Sequence, residues 1–378
     1  MAPSSRLAVR LATLPHDALV QLFSHEALAE LAAQACADSP AVAARAEAVL
    51  AAHQPVPQWA VEGVLLSSDL VPHVLAPLEQ EDGAVAAACS AWAAGWRATA
   101  DGRRRLKQVP FSFPQELLGG YSNLQLAVIP GDEERLVVSD IFFQQTRVLD
   151  RSMAMIDELQ SSDVHAADEQ SLFTVDDRLR RLSHDGTELA RYHEEEEKGL
   201  ALPVLAPGGL LFCVAFDDDD NEQDEIVALD AQTLQLRYRF GRSLLNYACQ
   251  MAVVGDELFV CDCNNDRLQV FSLAGEHRRS ITGEWTKPAL LCFAKDRLYL
   301  VEDEDDEEEE DEEEGEGEDG RLCGKRIFVL SLQGDTLQVF TLPDEQACEG
   351  FCCFGNQLLV TCNRSPADER AMLALSGV

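Results

Sequence analysis

Carboxylates are the side chains whose density in this sequence most strongly suggests a chemical role. Glu194–Glu197 carries four acidic residues, Asp217–Glu225 carries seven, and Glu302–Asp319 carries sixteen. These 27 acidic residues, with no Lys or Arg among them, leave only −10 of the formal net charge of −37 for the rest of the chain. Such dense like charges repel one another, which favours solvated loops that aid solubility. They would also attract a basic protein.

The acidic composition excludes several classes of partner. A pI near 4.4 argues against nucleic acid and anionic membranes, whose phosphates are bound by Lys and Arg. No apolar run reaches the roughly 18 residues of a membrane-spanning helix, and the acidic spacing differs from that of a calcium-binding EF-hand loop. The amino terminus lacks the apolar core of a secretory signal, although its basic Ser/Ala composition leaves a transit peptide as an alternative. We therefore expect a cytoplasmic and/or nuclear protein.

The twelve cysteines do not have the spacing that a zinc site requires, and the common motifs of nucleophilic catalysis are absent from the sequence. The pairs Cys261/Cys263 and Cys352/Cys353 lack the Cys-x-x-Cys or Cys/His spacing of a tetrahedral zinc site. Other cysteines, such as Cys213, lie in apolar runs, which indicates buried reduced thiols. The HExxH, Gly-x-Ser-x-Gly and phosphate-binding glycine motifs are absent from the sequence. We predict no metal, no cofactor and no catalytic activity.

The amino-acid composition, and with it the predicted secondary structure, changes near residue 105. The first 100 residues contain 28 alanines and three glycines, which favours helices. The remainder contains 20 of the 23 glycines and most of the β-branched and aromatic residues, which favours short strands and tight turns. We therefore predict a small all-α domain over residues 1–105, followed by a mainly β domain.

The β region repeats one pattern six times. The full pattern is an apolar strand, an Asp/Asn turn, and an Arg at the start of the next strand, and three of the six units are weaker copies of it. In three units a Gly follows the Arg by eight residues, as Arg178 and Gly186, Arg267 and Gly275, and Arg326 and Gly334. Asp and Asn tolerate tight turns, and the Arg can reach back to them. We predict structural roles for the repeat-turn residues Asp140, Arg147, Asp177, Arg178, Asp262, Asn265, Arg267, Arg326, Asn363 and Arg370.

This pattern resembles the NHL repeat, Asp-x-x-Asn-x-Arg followed by an alternating apolar strand. The fourth unit matches it most fully, with Asp262, Asn265 and Arg267, whereas the second shortens the turn and the third lacks the Arg. The resemblance covers about residues 121–378 and implies a six-bladed β-propeller. Because the last unit ends after its third strand, we predict that the connector 106–120, around Gln108–Phe113, supplies the missing outer strand.

The acidic segments have a common position in this pattern. The insertions 217–225 and 302–320 fall between the second and third strands of their units, and Glu194–Glu197 falls between two units. In an up-and-down blade these connections emerge on the same side. We predict one acidic face, marked by Glu194, Glu197, Asp217, Asp220, Glu302 and Asp319.

A catalytic propeller is the less favoured alternative. Some six-bladed propellers are metal-dependent hydrolases or lyases that cluster His and carboxylates around the channel. Here, half of the eight histidines lie in the helical region. Of the others, only His165 lies near an innermost strand, where it would stand alone.

The helical region contains a motif at about residues 64–97. Ser68 or Asp69 can cap a helix with apolar residues at helical spacing, and Asp82 can cap a second helix that ends near Trp96. This motif resembles an F-box, which docks on a Skp-type adaptor of cullin ubiquitin ligases. It departs from the family at Ser67, where Pro is usual, and at Gly83, where an apolar residue is common. The resemblance implies adaptor contacts by Leu66, Leu70, Val74, Leu75, Leu78 and Trp92.

Two functions remain open at the level of sequence. The resemblances imply a substrate-recognition subunit of an SCF-type ubiquitin ligase, monomeric outside the complex, whose head docks a Skp-type adaptor and whose propeller binds a protein substrate. The alternative is a non-degradative scaffold in which the helices only brace the propeller and the acidic face binds a basic partner. A second register, in which the F-box begins at Leu14, is also open. Burial of Leu70, Val74 and Leu78 within the chain would argue against docking.

Overall fold

Short strands separated by tight turns fold into antiparallel sheets along most of residues 106–378 in the computed structural model of this chain. Contacts divide the chain into two units, Met1–Arg105 and Leu106–Val378. The structure describes residues 71–75, 90–98, 104–114, 124–140, 145–159, 163–175, 178–193, 199–216, 224–303, 324–343, 346–364 and 369–378.

The second unit is a six-bladed β-propeller. The described residues form six sheets of four strands, one sheet per blade, and neighbours within every sheet run antiparallel. The strands are numbered along the chain and given from the innermost outward. Blade 1 has β2 (Leu124–Ile129), β3 (Arg135–Asp140), β4 (Gln145–Leu149) and β5 (Met155–Leu159), and blade 2 has β6 (Val164–Ala167), β7 (Ser171–Val175), β8 (Leu179–Ser183) and β9 (Glu188–Arg191). Blade 3 has β10 (Gly199–Ala206), β11 (Leu210–Phe216), β12 (Glu225–Asp230) and β13 (Leu236–Phe240), and blade 4 has β14 (Ala248–Val254), β15 (Glu257–Asp262), β16 (Arg267–Ser272) and β17 (His277–Thr282). Blade 5 has β18 (Pro288–Ala294), β19 (Arg297–Glu302), β20 (Arg326–Leu330) and β21 (Thr336–Thr341), and blade 6 has β22 (Gln346–Phe354), β23 (Gln357–Arg364), β24 (Glu369–Ser376) and β1 (Lys107–Val109).

The last blade takes its outermost strand from the beginning of the unit. β1 pairs antiparallel with β24, with Gln108 opposite Leu375, so the segment after residue 105 supplies the fourth strand as the sequence predicted. Phe113, just beyond β1, is buried in the core between blades 6 and 1. The ring is therefore closed by residues far apart in the sequence, and β24 is not left as an open edge.

Burial follows the position of each strand within its blade. The second strands β3, β11 and β15 and the third strand β12 are buried along most of their length, because each blade packs between two neighbours. The outermost strands carry the exposed large apolar side chains Met155, Ile156, Leu189, Leu236, Leu337 and Val339. The core therefore consists of layers between successive blades.

The three glycines of the repeat occupy one kind of turn. Gly186, Gly275 and Gly334 have φ of 83°, 85° and 96° in the hairpins between third and fourth strands. Each N–H donates to a serine carbonyl three residues earlier, at 2.9–3.0 Å. A left-handed residue that closes a three-residue hairpin favours glycine. The shared Arg-to-Gly spacing is thus explained by a turn common to three blades.

Two helices are described in the first unit, α1 (Val71–Leu75) and α2 (Ser90–Ala98). They pack closely at Gly95, where an added Cβ would lie 2.5 Å from Cγ1 of Val71. Along the part of the chain that the structure describes, no helix has the length and apolar character needed to cross a bilayer.

Candidate functional site

The chain order of the strands places all three acidic segments at one end of the propeller. Within a blade, the connection from the second to the third strand lies at the end where the innermost strand begins. The connection to the next blade lies at that same end, because the four strands alternate in direction. Residues 217–223 follow Phe216 at the end of β11, residues 304–323 follow β19, and residues 194–198 precede β10. We call this end of the propeller the acidic face.

Glu302 does not belong to the exposed part of this face, which corrects the sequence interpretation. It is the last residue of β19 and is 1% exposed. Its carboxylate accepts a hydrogen bond from Arg326 Nε at 2.5 Å and another from the N–H of Thr286 at 3.2 Å. Glu225, counted in the second acidic segment, is also buried and pairs with Arg239 at 2.5 Å. These two carboxylates serve the fold because strand pairing brings an Arg to each of them.

The fourth repeat forms the network that its sequence predicts. Asp262 is 0% exposed. Its Oδ2 accepts from Arg267 Nε at 2.7 Å and from Gln269 Nε2 at 3.1 Å, and its Oδ1 accepts from Asn265 Nδ2 at 2.8 Å. The Oδ1 atom also accepts from the backbone N–H of Asn246 at 2.8 Å, in the connection from blade 3. The turn motif thus joins neighbouring blades.

The other repeats vary this arrangement. In blade 1, Asp140 is paired with Gln145, and Arg147 lies two residues farther along β4, where it donates to Gln145 Oε1 at 2.8 Å. Arg147 therefore does not occupy the register position of Arg267. In blade 6, Asn363 and Arg370 are backbone register partners, as Asp262 and Arg267 are in blade 4.

Most residues predicted for the head and for the acidic loops lie outside the described residues. This holds for Leu66, Leu70, Leu78, Asp177, Glu194, Glu197, Asp217, Asp220 and Asp319, and for the F-box register beginning at Leu14. Arg178 is described, and it is exposed just before β8.

Two of the residues predicted to contact the adaptor have described side chains, and they differ in burial. Leu75 is 0% exposed, and its Cδ1 approaches Gly95 of α2 closely. This burial corrects its assignment as an adaptor contact, since a side chain packed between two helices has no surface to offer. Trp92, on α2, is half-buried.

A small cavity lies on the propeller axis. It has a volume of about 130 Å³, and all six innermost strands contribute to its wall. The lining residues are Gln125, Leu126, His165, Leu202, Pro203, Val204, Gln250, Met251, Leu291 and Phe351. His165, the one histidine that sequence placed near the channel, pairs through Nε2 with Asp163 at 2.9 Å. Among the described residues, no three His, Cys, Asp or Glu side chains are grouped so that they would hold a metal ion.

The described cysteines are free thiols. Burial raises the pKa of Cys213 and of Cys261, which keeps both thiols protonated and unreactive. Cys292 and Cys353, on the innermost strands of blades 5 and 6, have their Sγ atoms 3.6 Å apart.

Asp224, in the second acidic segment, directly precedes β12 and is the first described residue after Phe216. Burial raises the pKa of its carboxyl group, and hydrogen bonds from the N–H groups of Ala248 and Tyr247 partly offset this effect. The side chain therefore fixes the start of β14 against the start of β12. Sequence inspection assigned Asp224 only to the acidic segment, because its partners lie more than twenty residues away.

Comparisons with known proteins show the fold alone. No family model matches the sequence, and no curated protein matches it. Among solved structures, the chain is similar to a member of the DUF4221 family from Bacteroides vulgatus, at 10% identity and a TM-score of 0.50, covering 72% of this chain and 97% of that one. It is also similar to a luciferin-regenerating enzyme, at 12% identity and a TM-score of 0.48, covering 72% and 95% of the two chains.

Proposed function

We propose that this protein acts by binding and not by catalysis, and that the acidic face of its propeller holds a basic protein. The observation that carries the proposal is the position of the three acidic segments. All of them leave the β-sheets at the same end of the blades, although they come from three different connections. Subtracting the buried, paired Glu225 and Glu302 leaves 25 acidic residues in these segments.

The physical basis is long-range attraction. Charges concentrated on one side produce a directional field that raises the rate of encounter with a basic partner. At an ionic strength of 0.15 M this field is screened over about 8 Å. Binding should therefore weaken steeply as salt is added.

The test is the affinity of a defined polycation. Fluorescence anisotropy would follow a labelled twelve-residue peptide of alternating Lys and Gly on titration with the full-length protein at several salt concentrations. Deleting residues 304–319 should weaken binding at low salt by about tenfold or more.

A matched pair of variants compares the loss of two charges on the acidic face with the loss of two charges elsewhere. D217N/D220N removes two charges next to β11, and D132N/E133Q removes two exposed charges in the turn between β2 and β3, at the opposite end.

The two variants should differ. D217N/D220N should weaken peptide binding, and D132N/E133Q should weaken it less, because its charges lie at the far end of the blades. Equal effects of the two variants, or salt-independent binding, would reject the acidic face as the binding surface.

Docking of the head on a Skp-type adaptor of a cullin ubiquitin ligase is the second candidate function. The F-box resemblance of residues 64–97 supports it. The propeller would then act by proximity, raising the effective concentration of its bound substrate near the ligase. Without adaptor docking, the same propeller is a non-degradative scaffold.

Co-purification with a Skp-type adaptor tests this candidate. L70D/L78D should abolish recovery of the adaptor. Leu75→Ala serves as the packing control, since Leu75 is buried and its loss should act on stability. Equal recovery of adaptor with L70D/L78D and with the unaltered protein would reject docking through this motif.

A further inference from the structure

Three large apolar side chains are exposed on the acidic face between blades 3 and 4. Phe216, at the end of β11, is 41% exposed, and Tyr247, just before β14, is 60% exposed. Leu244, in the same connection as Tyr247, is 36% exposed. The other large apolar side chains with comparable exposure among the described residues lie on outermost strands. We call Phe216, Leu244 and Tyr247 the apolar patch.

Hydrogen bonds bring the parts of the patch together. Ala215 pairs with Glu225, so Asp224 comes opposite Phe216 in the next register position. The Asp224 carboxylate accepts hydrogen bonds from the backbone N–H groups of Tyr247 and Ala248. One partly buried carboxylate thus connects the end of β11 with the loop that carries Tyr247.

The loop that carries Leu244 and Tyr247 is held in place along its length. Arg267 Nη2 donates to the carbonyl of Leu244 at 3.0 Å, and the N–H of Cys263 donates to the carbonyl of Tyr247 at 3.1 Å. The repeat-turn carboxylate of Asp262 binds the N–H of Asn246 between them. The fourth repeat turn therefore positions a loop from the previous blade.

Tyr247 has a backbone conformation that is unfavourable for its side chain. Its φ is 56°, in the left-handed region that bulky residues seldom adopt. Such strain persists where surrounding contacts impose it, and it occurs often at functional sites. An aromatic ring presented on a fixed backbone loses little freedom on binding, which favours affinity.

Two acidic segments join the described strands at Phe216 and at Gly199, which is its register partner. The Phe216 ring lies across Gly199, where an added Cβ would come 2.4 Å from Cζ. Glu194–Glu197 shortly precedes Gly199 in the chain, and Asp217 directly follows Phe216. An occupant of the apolar patch would therefore lie near the strand ends from which two acidic segments extend.

We propose that the apolar patch anchors a basic peptide segment that carries a large apolar side chain. This inference rests on the proposed binding of a basic protein, and it identifies where on the acidic face the partner is held. The acidic segments would attract Lys and Arg residues, and the patch would bury the apolar side chain. Tyr and Trp are enriched among the few residues that carry most of the binding energy in protein interfaces. The Tyr247 ring can also stack against a Lys or Arg cation.

Two labelled peptides test the anchor. Both have twelve residues of alternating Lys and Gly, and one carries Trp at a central Gly position. The Trp peptide should bind the full-length protein roughly fivefold to tenfold more tightly, since one buried aromatic anchor contributes on this scale. Tyr247→Asn should reduce this preference to less than about twofold, with little change for the peptide without Trp. Asn tolerates the left-handed backbone, so this variant keeps the loop conformation.

Leu337→Asn is the matched control. Leu337 is exposed on β21, an outermost strand, and its replacement should leave the preference for Trp unchanged. Leu244→Asn, within the patch, should reduce the preference as Tyr247→Asn does.

The outcomes distinguish this inference from the proposed function. If both peptides bind with the same salt-dependent affinity, the apolar patch is rejected and the acidic face stands. If the preference for Trp survives both Tyr247→Asn and Leu244→Asn, the anchor lies elsewhere and the inference is overturned. If neither peptide binds, the inference and the proposed function fail together. Concentration-dependent dimerisation in sedimentation, lost in Tyr247→Asn, would instead assign the patch to a second copy of this chain.

Discussion

The carboxylate of Asp262 accepts four hydrogen bonds with no access to solvent. One of its partners, Asn246, belongs to the connection from blade 3, and the others belong to its own blade. A buried carboxylate is stable only when its oxygen atoms are satisfied in this way. The residue therefore stabilises both the turn of its own blade and the contact with the neighbouring one.

Replacing Asp262 should destabilise the propeller strongly. Asp262→Ala leaves several donors without their acceptor, and we expect the free energy of unfolding to fall by about 3 kcal/mol. Urea denaturation followed by circular dichroism would measure it. Asp256→Ala is the control, because Asp256 pairs with Arg278 at the surface and its loss should change stability by less than about 1 kcal/mol. Similar losses for both variants would contradict a special role for the repeat turn.

Asp185, in the hairpin between β8 and β9, has a lowered pKa and therefore contributes a pH-dependent part of the stability. The hydroxyl group of Ser183 and the N–H of Thr187 donate to its carboxylate and lower the pKa from 3.8 to about 2. Because the folded pKa is lowered, the stabilising contribution is present above pH 3.8 and is lost as the pH falls toward 2. Carboxyl NMR titration should show the low pKa, and Ser183→Ala should raise it. An unchanged pKa in that variant would exclude the hydroxyl as the main cause.

At the scale of elements, closure of the ring depends on the short β1 strand and the residue before it. The N–H of Leu106 donates to Gln338 Oε1 at 2.8 Å, and its carbonyl accepts from Gln338 Nε2 at 3.2 Å. The Leu106 side chain is buried in the core between blades 5 and 6. These contacts connect the start of the propeller with both of its last two blades.

Leu106→Ala should therefore weaken the closure. Loss of a buried leucine typically costs about 2–5 kcal/mol, through lost burial and the cavity that remains. Thermal unfolding would measure the change. Leu337→Ala, at an exposed position beside Gln338, should change stability by less than about 0.5 kcal/mol. Equal shifts in melting temperature for the two variants would show that closure does not depend on this packing.

At the scale of the whole molecule, the largest acidic segment is an insertion between two strands of one blade. Residues 304–319 fall between two paired strands, and the ion pair of Glu302 with Arg326 lies at the base of that connection. A change in the length of such a connection has a small entropic effect, because loop-closure entropy varies slowly with length. The acidic insertion and the acidic residue beside it therefore have different roles.

Deleting residues 304–319 should leave the melting temperature within about 3 °C of the unaltered protein. Glu302→Ala should lower the free energy of unfolding by roughly 2 kcal/mol, since it removes the acceptor of Arg326 and of the Thr286 N–H. Differential scanning calorimetry would compare the two. A larger loss from the deletion than from Glu302→Ala would show that the acidic segment itself stabilises the propeller.

Sequence reasoning succeeded where contacts are local. The apolar strands, the Asp/Asn turns and the Arg-to-Gly spacing lie within one blade, so their chemistry is legible in a short stretch of chain. It failed at Glu302, which was assigned to the exposed acidic segment although strand pairing buries it opposite Arg326. It failed at Leu75 as well, because helical periodicity identifies an apolar face without identifying what covers it.

By itself, the sequence determined the number of blades, the turn network of the fourth blade, the source of the closing strand and the connections in which the acidic segments lie. Each follows from the order and spacing of residues along the chain. The tertiary structure alone decided which carboxylates are buried, and it joined the loop that carries Tyr247 to the start of β12 through Asp224. Residues in different blades come into contact only when the propeller folds. Such long-range contacts produce no recognisable sequence motif in either segment.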